Sequence, residues 1–166
     1  MYSDKRNLIS IFTILLLGVF FTSSAFAHCQ IPCGIYTDDM RIKMISEDLD
    51  TIEKSMKQIT ELSGQEDVNY NQLVRWITNK DEHATKIQDI VNAYFLTQRI
   101  QPVDPSDAGY KDYLNKLELL HHMLVYAMKC KQTVDLENVE KLRSILVAFD
   151  KAYFGPDEKD HLKDHH

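Results

Sequence analysis

The chain predicts an all-α fold, an up-down four-helix bundle, on three observations. Four stretches repeat apolar residues at three- and four-residue spacing, the signature of one buried helix face. No stretch alternates apolar and polar residues as a half-buried strand does. Short polar or Pro/Gly-containing breaks separate the four, and short breaks join antiparallel neighbours. There are no internal repeats, and with three cysteines in 166 residues the core must come from apolar packing rather than disulfides.

Residues 1–27 have the three parts of a cleaved export signal. Lys5 and Arg6 form a charged start, Leu8 to Phe21 an apolar run, and Ala25-Phe26-Ala27 a small-x-small cleavage site. The run is shorter than the roughly 20 residues of a membrane span. An exported product, periplasmic or secreted, with no membrane segment after cleavage, is the expectation. Cleavage needs a processing protease and makes His28 the new N-terminus. Residues 28–36 then form a short irregular arm, and 37–155 the bundle.

The first helix is expected from about Thr37 to Leu62, with Ile45, Leu49, Ile52, Met56 and Ile59 as its stripe. Thr37, Asp38 and Asp39 suit its N-terminus, and Ser63-Gly64 ends it. The second runs from about Asn69 to Ile100, with Leu73, Ile77, Ala84, Ile87, Val91 and Tyr94 on one stripe. Lys80 falls on that stripe, where its stem would snorkel. Gln101-Pro102-Val103-Asp104-Pro105 breaks it. The third runs from about Tyr110 to Lys131 on Leu114, Leu117, His121, Leu124 and Met128. The fourth, capped by Asp135, runs from about Leu136 to Phe154 on Val139, Leu142, Leu146, Phe149 and Tyr153, and Gly155-Pro156 stops it. Residues 156–166 are a polar tail. Cys130 reads as an inert core thiol. His83, His121 and His122 read as surface or satisfied core residues, and His161, His165 and His166 as a solvated end.

The net charge is −6, and the leader holds two cations and one anion, so residues 28–166 carry −7. That acidity excludes nucleic acid as a natural partner.

The chemistry concentrates at His28-Cys29-Gln30-Ile31-Pro32-Cys33-Gly34-Ile35-Tyr36. Cleavage after Ala27 places a free amine and an imidazole on His28, beside two thiols. Thiolates are soft donors for nickel, copper and zinc. Structural zinc usually draws on two separated ligand pairs, and here there is one. The His28 amine, the Cys29 backbone nitrogen and the Cys29 sulfur form two fused chelate rings, and the Cys33 sulfur closes a square. That donor set suits Ni(II) or Cu(II), with the His28 imidazole in axial reach. Pro32 and Gly34 let so short a loop turn back. The plainer reading is a Cys29–Cys33 disulfide; the spacing is not that of a redox Cys-x-x-Cys pair. A non-enzymatic nickel or copper carrier is the alternative to an enzyme.

This segment resembles the nickel hook of the nickel-containing superoxide dismutases, whose processed N-terminus reads His-Cys-x-x-Pro-Cys-Gly-x-Tyr. His28, Cys29, Pro32, Cys33, Gly34 and Tyr36 match it. The resemblance implies a homohexamer of four-helix bundles with one nickel ion per subunit, disproportionating superoxide to dioxygen and hydrogen peroxide. It implies nickel ligation by His28, Cys29 and Cys33, and a cis Ile31-Pro32 bond. It also implies that Tyr36, with Tyr94 as the second active-site tyrosine, restricts access to the metal; core packing is the other reading of Tyr94. Gln30 stands where some relatives have Asp. Leu96-Thr97 stand where some have a Lys, so local positive charge must come from elsewhere, with Lys43, Lys80 and Lys86 as candidates.

Overall fold

The computed structural model describes residue 34 and residues 36–155. The leader, His28 to Cys33 and the tail lie outside the described residues. Four helices follow in order: α1 (Asp38–Ser63), α2 (Tyr70–Asp89) continued by a π-helical segment (Ile90–Arg99), α3 (Tyr110–Gln132) and α4 (Glu137–Phe154). The pairs in contact are α1 with α2, α2 with α3, α3 with α4 and α4 with α1, which closes the four into a bundle. Among the described residues no helix is long and apolar enough to cross a membrane.

The expected stripes of α1 and α4 form the core. Ile45, Leu49, Ile52 and Met56 are fully buried, as are Leu142 and Phe149, with Val139 and Leu146 at 1% exposure. Each such side chain contributes on the order of 1.5–3 kcal/mol relative to exposure. Asn69 caps α2 by accepting from the Gln72 N–H at 3.2 Å. Asp135 accepts from the Glu137 N–H at 3.0 Å, although the chain position before α4 is Leu136. Gly155 stops α4 in the left-handed region, with φ +95°.

Two stripes differ from expectation. On α3 the buried residues are Leu120, Met123, Ala127 and Cys130, while Leu114 and Met128 are exposed at 44% and 43% and His121 faces solvent. Residues 117–128 are apolar nearly all round, so two stripes satisfy the period, and packing on α2 and α4 chooses between them. On α2, Leu73 is half-buried and Ile77 exposed. Lys80 is 3% exposed and donates to the carbonyls of Cys130 and Lys131 at 2.7 and 2.5 Å and to Asp81 at 2.8 Å. The ammonium therefore caps the C-terminal end of α3. Residues of α2 before Lys80 project past that end and find no α3 to pack against.

The π-helical segment was not legible as such. Its Ile100 N–H reaches the Phe95 carbonyl at 2.9 Å, five residues back. Side chains reinforce the wider turn: Thr97 Oγ1 donates to the Asn92 carbonyl at 2.6 Å and Gln98 Nε2 to the Ala93 carbonyl at 2.8 Å. Ile90, Val91, Tyr94 and Phe95 of this segment are buried. Such segments concentrate at functional sites.

Candidate functional site

Up-down topology gathers the start of α1, the end of the π-helical segment and the end of α4 at one end of the bundle. Asp38, Arg99 and Tyr153 come from these three places and meet there. Arg99 Nη2 and Nε donate to Asp38 Oδ2 at 2.6 and 3.0 Å. The Tyr153 hydroxyl donates to the same oxygen at 2.8 Å and accepts from Arg99 Nε at 3.1 Å. The Tyr94 hydroxyl donates to the other oxygen, Oδ1, and accepts from the Thr37 N–H at 3.0 Å. Both oxygens of one half-buried carboxylate are thus occupied by three side chains from two elements, the π-helical segment and α4.

The electrostatics follow from that geometry. Burial alone would raise the Asp38 carboxyl, but hydrogen bonds from Arg99, Tyr94 and Tyr153 outweigh it and hold the group below its ordinary value. Burial pushes the Tyr94 phenol up to about 12, and its bond to Asp38 adds to the rise. Burial and Asp38 likewise take Tyr153 to about 12. Both phenols are neutral across the physiological range, with their protons aimed at Asp38.

Tyr36, the last fixed residue of the N-terminal motif, packs on this cluster. Its ring meets the Tyr94 ring edge-to-face, with centroids 5.9 Å apart. Tyr94 continues into Phe95 at 5.2 Å, and Phe95 into Phe149 at 5.0 Å, so an aromatic chain runs from the motif to the core. Tyr36 is 41% exposed and Tyr94 only 3%, so the pair has a solvent face and a protein face. The Tyr94 hydroxyl holds the Thr37 backbone, which ties down the residue that follows Tyr36. Gly34 has φ +72°, in the left-handed region that glycine adopts without steric cost.

Two guanidinium groups lie on the tyrosine faces: Arg99 over Tyr36 at 4.2 Å and Arg41 over Tyr94 at 4.9 Å. Arg99 is matched by Asp38. Arg41 has no acidic partner among the described residues; its Nη1 meets only the Met44 sulfur at 3.6 Å. Its buried Nε has no hydrogen-bond partner among them, an arrangement costing about 1–3 kcal/mol.

Of the residues predicted to form the site, Tyr36 and Tyr94 are brought together from 58 positions apart. His28, Cys29 and Cys33 lie outside the described residues. Asp38, Arg41, Arg99 and Tyr153 were missed as site residues. Asp38 reads in sequence as an ordinary first-turn acid and Tyr153 as core. The available signal was topological, since helix ends that must coincide carry an acid, an arginine and a tyrosine. The lysine candidates fare differently. Lys80 is occupied capping α3, Lys86 lies 3.3 Å from His83 Nε2, and Lys43 is half-buried on α1 with no ion pair among the described residues. His83 is a satisfied residue, its Nδ1 2.6 Å from Asp48 Oδ1.

Among the described residues no group of three or more His, Cys, Asp or Glu could hold a metal ion. Cys130 is fully buried, and burial pushes its thiol up to about 11, so it offers no thiolate. The other two cysteines, Cys29 and Cys33, lie outside the described residues, and thiolate and imidazole are donor types that suit a late first-row ion.

No curated protein and no solved structure matches the chain. The family description of nickel-containing superoxide dismutase matches residues 23–156, across both the N-terminal motif and the whole bundle. With the motif, the helical architecture and that match in agreement, the chain belongs to the nickel-containing superoxide dismutases.

Proposed function

We infer that this chain, as a nickel-containing superoxide dismutase, is an oxidoreductase that acts on superoxide with a nickel cofactor rather than a metal carrier. We propose the following mechanism for it. Residues 1–27 are an export signal, and a protease cuts after Ala27 to free the His28 amine. His28 holds nickel through its amine and imidazole, Cys29 through its sulfur and backbone nitrogen, and Cys33 through its sulfur. Bound there, nickel supplies one-electron redox chemistry, made accessible by thiolate and amide donors.

Tyr36 and Tyr94 form a wall that limits access to small species. The observation that carries this reading is the edge-to-face packing of Tyr36 on Tyr94, which fixes the end of the motif against the bundle. Disproportionation consumes two protons for each hydrogen peroxide formed. The Tyr94 proton is directed to Asp38, and its phenol titrates only near pH 12. Tyr94 therefore acts as a neutral wall and a tether for Thr37, while protons reach the site through water on the exposed side of Tyr36.

The test uses protein expressed with its leader, purified, and measured for N-terminal mass, nickel per chain and superoxide consumption. Active protein begins at His28. Cys33→Ser loses turnover, and Cys130→Ser retains it. An active chain that keeps Ala27, or an active Cys33→Ser protein, would sink the proposal.

A further inference from the structure

The substrate is an anion and residues 28–166 carry a net charge of −7, so approach to the site is opposed unless local positive charge reverses the field. Among the described residues, the charged side chains that touch the tyrosine pair are Asp38, Arg99 and Arg41. Asp38 and Arg99 neutralise one another through two hydrogen bonds. Asp39, on the same turn, is exposed to solvent and screened by it. Lys43 is half-buried one turn on and makes no contact with either ring among the described residues. Arg41 differs from all of these. Its guanidinium sits 4.9 Å from the centre of the Tyr94 ring, and no carboxylate among the described residues pairs with it. Of its five N–H donors, one meets a thioether, a weak acceptor, and the buried Nε meets nothing among the described residues.

A partly buried arginine without a carboxylate is unusual, since such groups are ordinarily paired. Here the cation is held in place by the face of Tyr94 and the Met44 sulfur, neither of which cancels its charge. That leaves a fixed positive charge with unused donors beside the tyrosine wall. Resting on the mechanism above, we propose that Arg41 is the steering residue of this enzyme: it draws the superoxide anion to the Tyr36–Tyr94 pair. It takes the place of the lysine that some relatives carry where this chain has Leu96-Thr97. Arg99, the other guanidinium on the pair, has a positioning role, because Asp38 compensates its charge.

The test is the ionic-strength dependence of kcat/KM for processed, nickel-loaded wild type, Arg41→Gln and Arg41→Lys. At ~0.01 M salt the Debye length is about 30 Å, and at ~1 M it is about 3 Å. The expected result is a roughly three- to tenfold loss in Arg41→Gln at low salt that closes toward wild type at high salt, with Arg41→Lys near wild type throughout. Nickel content and its paramagnetic resonance signal stay unchanged in both variants. A second measurement does not depend on turnover. Azide, a small monoanion, is titrated into the reduced, nickel-loaded protein while the Arg41 Nε–H signal is followed by nuclear magnetic resonance; the signal moves with azide. A loss in Arg41→Gln that persists unchanged at high salt would mark a merely structural role and overturn the proposal, as would an Arg41 signal indifferent to azide. If the processed wild type consumes no superoxide, the mechanism fails instead, and the azide response still decides whether Arg41 attracts anions.

Discussion

Asp38 shows how one side chain acquires a role its local sequence does not display. At the first turn of α1 it would ordinarily favour the helix through the dipole. Here both oxygens are turned to Tyr94, Arg99 and Tyr153. Replacing it by asparagine keeps the shape but removes the charge that matches Arg99 and receives both phenols. The expected outcome of Asp38→Asn is a lower Tyr94 titration point, read by ultraviolet difference titration against Tyr94→Phe, and a stability loss of about 2–4 kcal/mol in urea. An unchanged phenol titration would contradict the geometry. The pH dependence of the wild type follows from the same contacts. Tyr94 and Tyr153 titrate higher folded than unfolded, so the stability they contribute is full below pH 10 and lost as pH rises toward about 12. Asp38 titrates lower folded than unfolded, so its contribution is present above the ordinary 3.8 and lost as pH falls through its depressed value.

At the scale of elements, α2 and its π-helical continuation carry two devices. The π-helical segment carries the buried Tyr94 and the Arg99 that meets Asp38. Lys80 joins α2 to the end of α3 through two carbonyls. The periodicity left Lys80 as an apolar-face intruder, and its reason is visible only once α3 ends beside it. Lys80→Met fills the same space but leaves those carbonyls without their donor. Unfolding in urea should show a loss of about 1–3 kcal/mol with little change in the slope. No loss would mean that the two carbonyls find other donors.

At the scale of the whole molecule, several large apolar residues are exposed on α2 and α3. Tyr70, Val74 and Ile77 follow one face of α2 at 71%, 60% and 39% exposure, and Leu114 and Met128 add to α3. The resemblance implies a homohexamer, in which surface of this kind would be available for subunit contact. Light scattering on processed protein should return six times the mass of the chain from His28. A monomer at micromolar concentration would exclude the hexamer.

Bundle and motif were both readable in the linear chain because each rests on short-range pattern. Helical period, breakers and the stripes of α1 and α4 are properties of neighbours within a few residues. The run from His28 to Tyr36 is likewise contiguous, so its donor chemistry needs no fold to be recognised. The face of α3 was not readable, since residues 117–128 satisfy two stripes and only its neighbours α2 and α4 choose one. The second layer of the site was hidden for the same reason. Asp38, Arg41, Arg99 and Tyr153 are scattered over 115 positions, and nothing local couples them. Helix ends brought together by an up-down fold, and a π-helical turn that resets the last two turns of α2, decide that an acid, a cation and two phenols meet beneath Tyr36.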